Sequence, residues 1–137
     1  MTADMSALKM TVVVAIGSAV GGVLRFWTTA WIARVLPAHL PLGTLLVNVS
    51  GSFAIGAIAA MFLGRWQASA ATLWPPLLMT GLLGGFTTFS AFSLQTLVLM
   101  QQGRWMDAAT NVLLSVLLCL GAVWLGWHLA LRVTSYE

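Results

Sequence analysis

Two phenylalanines with hydroxyl-bearing neighbours form the segment Phe89-Ser90-Ala91-Phe92-Ser93. Phe89 and Phe92 are three residues apart, so they share one face if the segment is helical. Aromatic rings have a positive edge, and two such edges can hold an anion without binding it through a fixed charge. The alternative interpretation is that both rings only fill space between helices.

A single carboxamide, Asn48, stands inside the apolar stretch Leu46-Val47-Asn48-Val49-Ser50-Gly51. It carries two N–H donors, which an anion that has lost its water would need. A polar side chain surrounded by hydrocarbon must pair with another helix or face a polar path. Asn48 is therefore predicted either to contact an anion or to bond to a neighbouring helix.

Glycines and threonines accumulate just before the phenylalanines, in Gly81-Leu82-Leu83-Gly84-Gly85-Phe86-Thr87-Thr88. Glycine costs a helix about 1 kcal/mol per position relative to alanine. Irregular backbone inside a membrane is tolerated only where it is buried in protein or lines a polar cavity. The segment predicts an interrupted helix whose free carbonyls suit a small cation. The competing interpretation is a continuous helix with a glycine packing face.

The elements that position these residues are long and almost uncharged. Of the 137 residues, 60% are hydrophobic and 7% are charged, whereas a soluble domain carries roughly 25% charged residues. The uncharged runs cover residues 35–64, 66–103 and 108–131, and about 20 apolar residues are enough to cross a membrane. With a first helix that contains Arg25, we predict an all-α membrane protein of one domain. Its four transmembrane helices are predicted over residues 8–33, 42–64, 76–101 and 106–132, the third broken by the glycine-rich turn.

The charges give the chain almost no preferred orientation. Four crossings place Lys9, Arg65 and Arg132 on one side, and Arg34 and Arg104 on the other. Positive residues normally accumulate on the cytoplasmic side, and three against two is nearly balanced. We expect insertion in both orientations, so that two copies can pair as an antiparallel dimer. Tryptophans near the segment ends are predicted to lie at the headgroup level: Trp27, Trp31, Trp66, Trp74, Trp105 and Trp127.

The crossings lack the residues that several other functions require. No Asp or Glu lies inside a predicted crossing, Asp107 being at an edge, whereas a proton-coupled exporter needs an embedded carboxylate. No Cys and His set has metal-binding spacing, no nucleophile–base pair is evident, and no basic cluster suits nucleic acid. The sequence thus predicts no enzyme and no nucleic-acid partner. A small coupled exporter and a non-transporting membrane scaffold remain as alternatives to an ion pathway.

The chain closely resembles the CrcB/Fluc family of fluoride channels over nearly its whole length. The matching segments are Gly21-Gly22-Val23-Leu24-Arg25-Phe26, Gly43-Thr44-Leu45-Leu46-Val47-Asn48 and residues 84–93, from Gly84 to Ser93. This resemblance implies a passive, fluoride-selective channel that exports cytoplasmic fluoride through the inner membrane of a bacterium. It also implies a dual-topology, antiparallel homodimer with two fluoride pathways at the subunit interface.

The resemblance also implies roles for particular residues. The fluoride pathway would comprise Asn48, Phe89, Phe92, Ser90, Ser115 and Arg25, with the arginine at a vestibule mouth. A structural Na⁺ at the dimer centre would be held by backbone carbonyls of Gly84 and Thr87 in both subunits. Three positions depart from the family pattern and affect the outer steps of the pathway. Ala91 stands where many members have threonine, Gln95 where glutamate is common, and Asn111 where some have tyrosine.

Overall fold

The structure, a computed structural model, describes residues 2–36, 39–64 and 73–135. Within these residues the chain is helical apart from short turns. Helix α1 is Thr2–Val35 and α2 is Leu42–Gly64. Helix α3 is π-helical over Pro76–Leu83 and continues as Gly84–Phe86; α4 is Phe89–Gln101 and α5 is Trp105–Ser135. Arg65 and Trp66, which were assigned to a membrane face, lie outside the described residues.

Four helical stretches of the described chain are long and apolar enough to cross a membrane, with α3 and α4 together forming the third. They are Ser6–Val35, Leu42–Phe62, Pro76–Gln101 and Trp105–Val133. The prediction of an all-helical protein with four such segments, the third interrupted, is therefore confirmed. Helix α1 begins at Thr2, earlier than the predicted residue 8, so its first turns extend beyond the apolar stretch.

The interruption of the third crossing lies at two threonines rather than at the glycines. Thr87 (φ −80°, ψ 160°) and Thr88 (φ −153°, ψ 113°) are extended, whereas Gly84 is helical (φ −63°, ψ −37°). Two of the glycines serve helix packing instead. A Cβ at Gly85 would lie 2.5 Å from the Ser18 carbonyl oxygen. A Cβ at Gly81 would lie 3.1 Å from Gly17 Cα. The competing interpretation was thus right for these two glycines, while the interruption lies at the last two residues of the predicted segment, Thr87 and Thr88.

The helices pack as two pairs, α1 with α3 and α2 with α5, and α4 rests on α5. Glycines bring the second pair together, because a Cβ at Gly56 would overlap the Val123 carbonyl and one at Gly126 would overlap the Phe53 carbonyl. Small residues allow such close approach in lipid, where burial against another helix gives no hydrophobic gain. Backbone-to-backbone packing therefore fixes the α2–α5 pair that carries Asn48 and Ser115.

Much of the apolar surface faces outward. Trp27, Trp31, Trp74 and Trp105 are each more than half exposed, as headgroup anchors would be. Among the residues whose burial the structure describes, fully enclosed side chains are few and small, among them Val47, Ala60 and Ala108. An exposed apolar surface of this extent suits lipid or a second copy of the chain.

Candidate ion pathway

Asn48 bonds to both backbone groups of Thr88, at the point where the third crossing is interrupted. Its Nδ2 donates to the Thr88 carbonyl at 3.0 Å, and its Oδ1 accepts from the Thr88 N–H at 2.7 Å. In a continuous helix that N–H would donate to the carbonyl of Gly84, four residues earlier. The Asn48 Oδ1 atom thus replaces one helical hydrogen bond at the break. One N–H of its amide carries no bond to the described residues and is available as a donor.

Arg25 lies on the other side of the break. Its Nη1 is 3.3 Å from the Thr87 carbonyl oxygen and donates to it. The Thr87 N–H and hydroxyl both donate to the Leu83 carbonyl, each at 2.9 Å, which closes the last turn of α3. The C-terminal end of a helix is its negative end, so the guanidinium is favourably placed there. Arg25 is not among the residues that line the cavity at the break.

A cavity of about 480 Å³ opens beside the break. It brings together residues from three crossings that the sequence places far apart. From the predicted set, its wall contains Asn48, Gly84, Thr87, Phe89, Phe92 and Ser115. Thr88 also belongs to the wall, whereas Ser90 does not. The Ser90 hydroxyl oxygen is nevertheless 3.3 Å from the Thr88 hydroxyl oxygen. Most of the predicted pathway residues therefore surround one space.

The two phenylalanines of the cavity wall contact each other. Their ring centroids are 5.3 Å apart and the ring planes are tilted by 51°. Phe89 is 78% exposed, so its ring projects from the chain, while Phe92 is partly buried. The edge of an aromatic ring is its positive part, so contact of a ring edge with an anion in the cavity stays a prediction for this pair. The exposed ring shows that a single copy leaves the cavity open on that side.

The remaining polar groups of the cavity are uncharged. Ser115 is 8% exposed and directs its hydroxyl-bearing side chain from α5 into the wall, with Cys119 one turn further along. No Lys, Arg, Asp or Glu belongs to the wall formed by the described residues. An ion in this space would be held by dipoles and hydroxyl groups, which permits both entry and release.

Thr88 lies at the site, but the sequence predicted no separate role for it beyond its place in the glycine- and threonine-rich segment. It is 9% exposed, lines the cavity, and accepts a hydrogen bond from the Ala91 N–H through its hydroxyl at 3.2 Å. That bond makes it the N-cap of α4. A threonine before a helical run is an N-cap signature, so the start of α4 at this position was detectable from the sequence.

A second cavity, of about 390 Å³, lies toward the far end of α4. His39, Gln95, Gln102 and Arg104 contribute to its wall. The Gln95 Oε1 atom is buried and has no hydrogen-bond partner among the described residues. Arg104 is paired with Asp107 at 2.8 Å and donates to the His39 carbonyl at 2.6 Å, which ties the α4–α5 turn to the segment before α2.

The backbone at the break has the donor chemistry that a small cation needs. The Gly84 carbonyl has lost its helical partner to Asn48, and the Thr87 carbonyl ends α3. Carbonyls at unwound half-helix ends are known ligands for Na⁺. Within the described residues no cluster of three His, Cys, Asp or Glu could hold a metal ion instead. The Thr87 carbonyl already accepts a hydrogen bond from the Arg25 guanidinium at 3.3 Å, and a positive charge there disfavours a cation on the same oxygen. Within one copy the Gly84 carbonyl is therefore the better of the two candidate ligands, and the Na⁺ site stays a prediction.

Four apolar crossings, one of them interrupted beside an uncharged polar cavity, define a small multi-span membrane protein with a candidate ion path. Residues 12–127 match the family described as CrcB-like protein, Camphor Resistance (CrcB), and the chain belongs to that family. The predicted family resemblance is thereby confirmed.

Curated relatives with the name "Fluoride-specific ion channel FluC" are similar to this chain over most of its length. The relative from Paramagnetospirillum magneticum is 48% identical over 122 residues, covering 89% of this chain and 94% of the relative. The relative from Methylocella silvestris is 47% identical over 89% of this chain and 93% of its own length. The relative from Opitutus terrae is 45% identical over 95% and 98%, respectively. These names denote an ion channel and not an enzyme, in agreement with the sequence prediction.

Proposed function

We propose that this protein is a passive, fluoride-selective ion channel in a bacterial inner membrane that exports cytoplasmic fluoride. The observation that carries this proposal is the close similarity to proteins named as fluoride-specific channels, 47–48% identity over 89% of the chain. The cavity supports it from the structure. Amide, hydroxyl and aromatic-edge donors from three crossings surround one space that contains no fixed charge among the described residues.

The mechanism follows from the hydration of fluoride. This small anion holds water tightly, so a pore must replace the lost water with other donors. The free N–H of Asn48, the hydroxyls of Ser90 and Ser115, and the ring edges of Phe89 and Phe92 supply them. Because none of these groups is charged, binding stays weak enough for rapid exit. An interior-negative potential then drives the anion outward with about 2.3 kcal/mol per charge per 100 mV.

The working unit in this proposal is an antiparallel homodimer. Phe89 is 78% exposed, and Gly84 is exposed beside the same cavity. A second copy packed against this face would enclose the ion path. It would also add its own Gly84 and Thr87 carbonyls to those of the first copy, and together these residues would hold Na⁺. The positive charge of the ion would attract the carbonyl oxygens of both copies and so link their interrupted third crossings.

Ion efflux from proteoliposomes tests the function against its rivals. Vesicles loaded with potassium fluoride or potassium chloride, with valinomycin present, should release fluoride rapidly and chloride hardly at all. Protein-free vesicles are the control. A coupled drug or metabolite exporter and a scaffold would release neither anion. Equal release of both anions would contradict selectivity.

The structure favours the channel over the coupled exporter at one point. Within the four described crossings the one acidic residue is Asp107. It lies in the first turn of α5 and is paired with Arg104 at 2.8 Å. A carboxylate that exchanges protons with a substrate has to face the transport path. Asp107 is absent from the wall of the 480 Å³ cavity.

A further inference from the structure

We propose that Asn111 is a positioning residue of the ion pathway, which acts through Thr96 on the placement of Phe92. This inference rests on the channel function proposed above. It gives a role to a residue that the sequence named only as a departure from the family pattern. Asn111 belongs to α5 and is 3% exposed; Thr96 belongs to α4 and is 7% exposed. Neither lines the 480 Å³ cavity.

The three residues are joined by two short hydrogen bonds. Asn111 Nδ2 donates to the Thr96 hydroxyl oxygen at 2.8 Å. The Thr96 hydroxyl in turn donates to the Phe92 carbonyl oxygen at 2.8 Å. The second bond uses the hydroxyl proton, so the first bond must use a lone pair of the same oxygen. Hydrogen bonds in series polarise one another in a low-dielectric interior, and the threonine rotamer is held from both sides.

Helix α4 has few other contacts that could fix its position. Most of its large side chains point outward, including Phe89, Leu94 and Leu97, each at least half exposed. Its buried residues are Thr96 and Leu99. Because Phe89 touches little of its own chain, its ring position depends on Phe92 and on the seating of α4 against α5. The Asn111–Thr96 bond crosses that contact between the two helices.

The amide of Asn111 between α4 and α5 can fix the position of α4, which an apolar side chain there could not do. Two apolar helices gain nothing in lipid from burial against each other and can slide. A single buried hydrogen bond sets both the depth and the rotation of α4. Two ring edges that replace the hydration of an ion have to be placed to within a fraction of an ångström. The bond should therefore affect ion passage more than assembly.

Substitutions that remove one hydroxyl or one amide test the inference. Thr96→Val is isosteric, and Asn111→Leu replaces the amide with an apolar side chain suited to a membrane helix. Each should lower fluoride flux per assembled channel about threefold to eighteenfold, the rate equivalent of the ~0.6–1.7 kcal/mol that such bonds contribute in membranes. Thr96→Ser retains the hydroxyl and should retain the flux. Thr11→Val is the matched control, because its hydroxyl bonds to the Ala7 carbonyl at 2.9 Å within one helix only.

Two further readouts separate positioning from simple helix adhesion. The fluoride-to-chloride flux ratio should fall in Thr96→Val, since misplaced ring edges discriminate less. The double variant Thr96→Val/Asn111→Leu should be no slower than the slower single variant, because both remove the same interaction. Unchanged flux and ratio together with a lowered melting temperature would overturn the inference. If Asn111→Leu fails to assemble, Thr96→Val alone decides. Absence of fluoride flux in the unmodified protein would instead refute the proposed function.

Discussion

At the scale of single residues, Asn48 both bonds to a neighbouring helix and lines the cavity. The sequence left open whether it contacts an anion or bonds to another helix. It bonds to Thr88 through both its oxygen and one N–H, and it is one of the residues that line the cavity. The helix-bonding interpretation is confirmed, and anion contact stays a prediction for the remaining N–H. The pairing spans forty residues of sequence, so nothing local to Asn48 could have predicted which backbone group it meets.

The aromatic pair gives a prediction at the same scale. Phe89→Ile and Phe92→Ile remove the ring edge while keeping an apolar side chain. If ring edges stabilise dehydrated fluoride by about 2–3 kcal/mol, fluoride efflux should fall roughly thirtyfold to 150-fold. The measurement is fluoride efflux from liposomes, normalised to dimer resolved by gel filtration. Phe26→Ile is the control, because Phe26 is 63% exposed on α1 and lies outside the cavity. Unmodified efflux in both variants would assign the two rings to packing alone.

At the scale of the helical elements, two adjacent glycines of α3 have different surroundings. A Cβ at Gly85 would meet backbone of α1, at 2.5 Å from Ser18 O and 2.9 Å from Ser18 Cα. A Cβ at Gly84 would meet only the Met79 carbonyl oxygen, at an ordinary 3.6 Å. Backbone cannot move aside as a side chain can, so only the Gly85 position resists a methyl group within one chain.

Alanine at each position should therefore give opposite results for stability. Gly85→Ala should force α1 and α3 apart and lower the free energy of unfolding by about 1–3 kcal/mol. Gly84→Ala should leave the isolated chain as stable or up to about 1 kcal/mol more stable, because alanine favours helix. Thermal unfolding in detergent measures both. If Gly84→Ala nevertheless loses fluoride flux or sodium-dependent stabilisation, the cause lies in the second copy or the ion.

The position of the break could be only partly predicted from the sequence. Glycine content indicated an irregular segment, and the interruption exists. Gly81 and Gly85 turned out to be required by the close approach of α1, which a sequence does not display because Gly17 and Ser18 are more than sixty residues away. Thr87 and Thr88 are extended because Asn48 replaces the helical partner of the Thr88 N–H. The low helix propensity of the segment predicted that a break exists. The hydrogen bond between Asn48 and Thr88 determines where it lies.

At the scale of the whole molecule, the fold class was the most predictable property. Long uncharged runs dictate membrane crossings, since a charge in hydrocarbon is costly and its absence over about 20 residues is unmistakable. The gathering of Asn48, Phe92 and Ser115 at one cavity was predicted only through the family resemblance, because it depends on how four helices pack. The assembly of two copies remains a prediction that rests on the charge balance and the open cavity.

The charge balance leads to a test of dual insertion. Gln101→Lys with Gln102→Lys adds positive charge at the α4–α5 turn, where both glutamines are exposed. Leu8→Lys with Val133→Lys adds it on the opposite side, where the two residues are 61% and 73% exposed. By the positive-inside rule, the first variant should keep the α4–α5 turn in the cytoplasm and the second should expose it outside. Each variant alone should lack fluoride flux, and co-expression of the two should restore it.

A cysteine at Met106, which is 81% exposed beside the α4–α5 turn, reports orientation to a membrane-impermeant thiol reagent applied to intact cells. The Gln101/Gln102 variant should remain unlabelled and the Leu8/Val133 variant should be labelled nearly completely. The chain without added lysines should be labelled about halfway between, because three positive residues against two give almost no bias. The chain without Met106→Cys, which retains Cys119 in the cavity wall, provides the background. Labelling of the balanced chain that matches either biased variant would show a single orientation and would rule out an antiparallel pair.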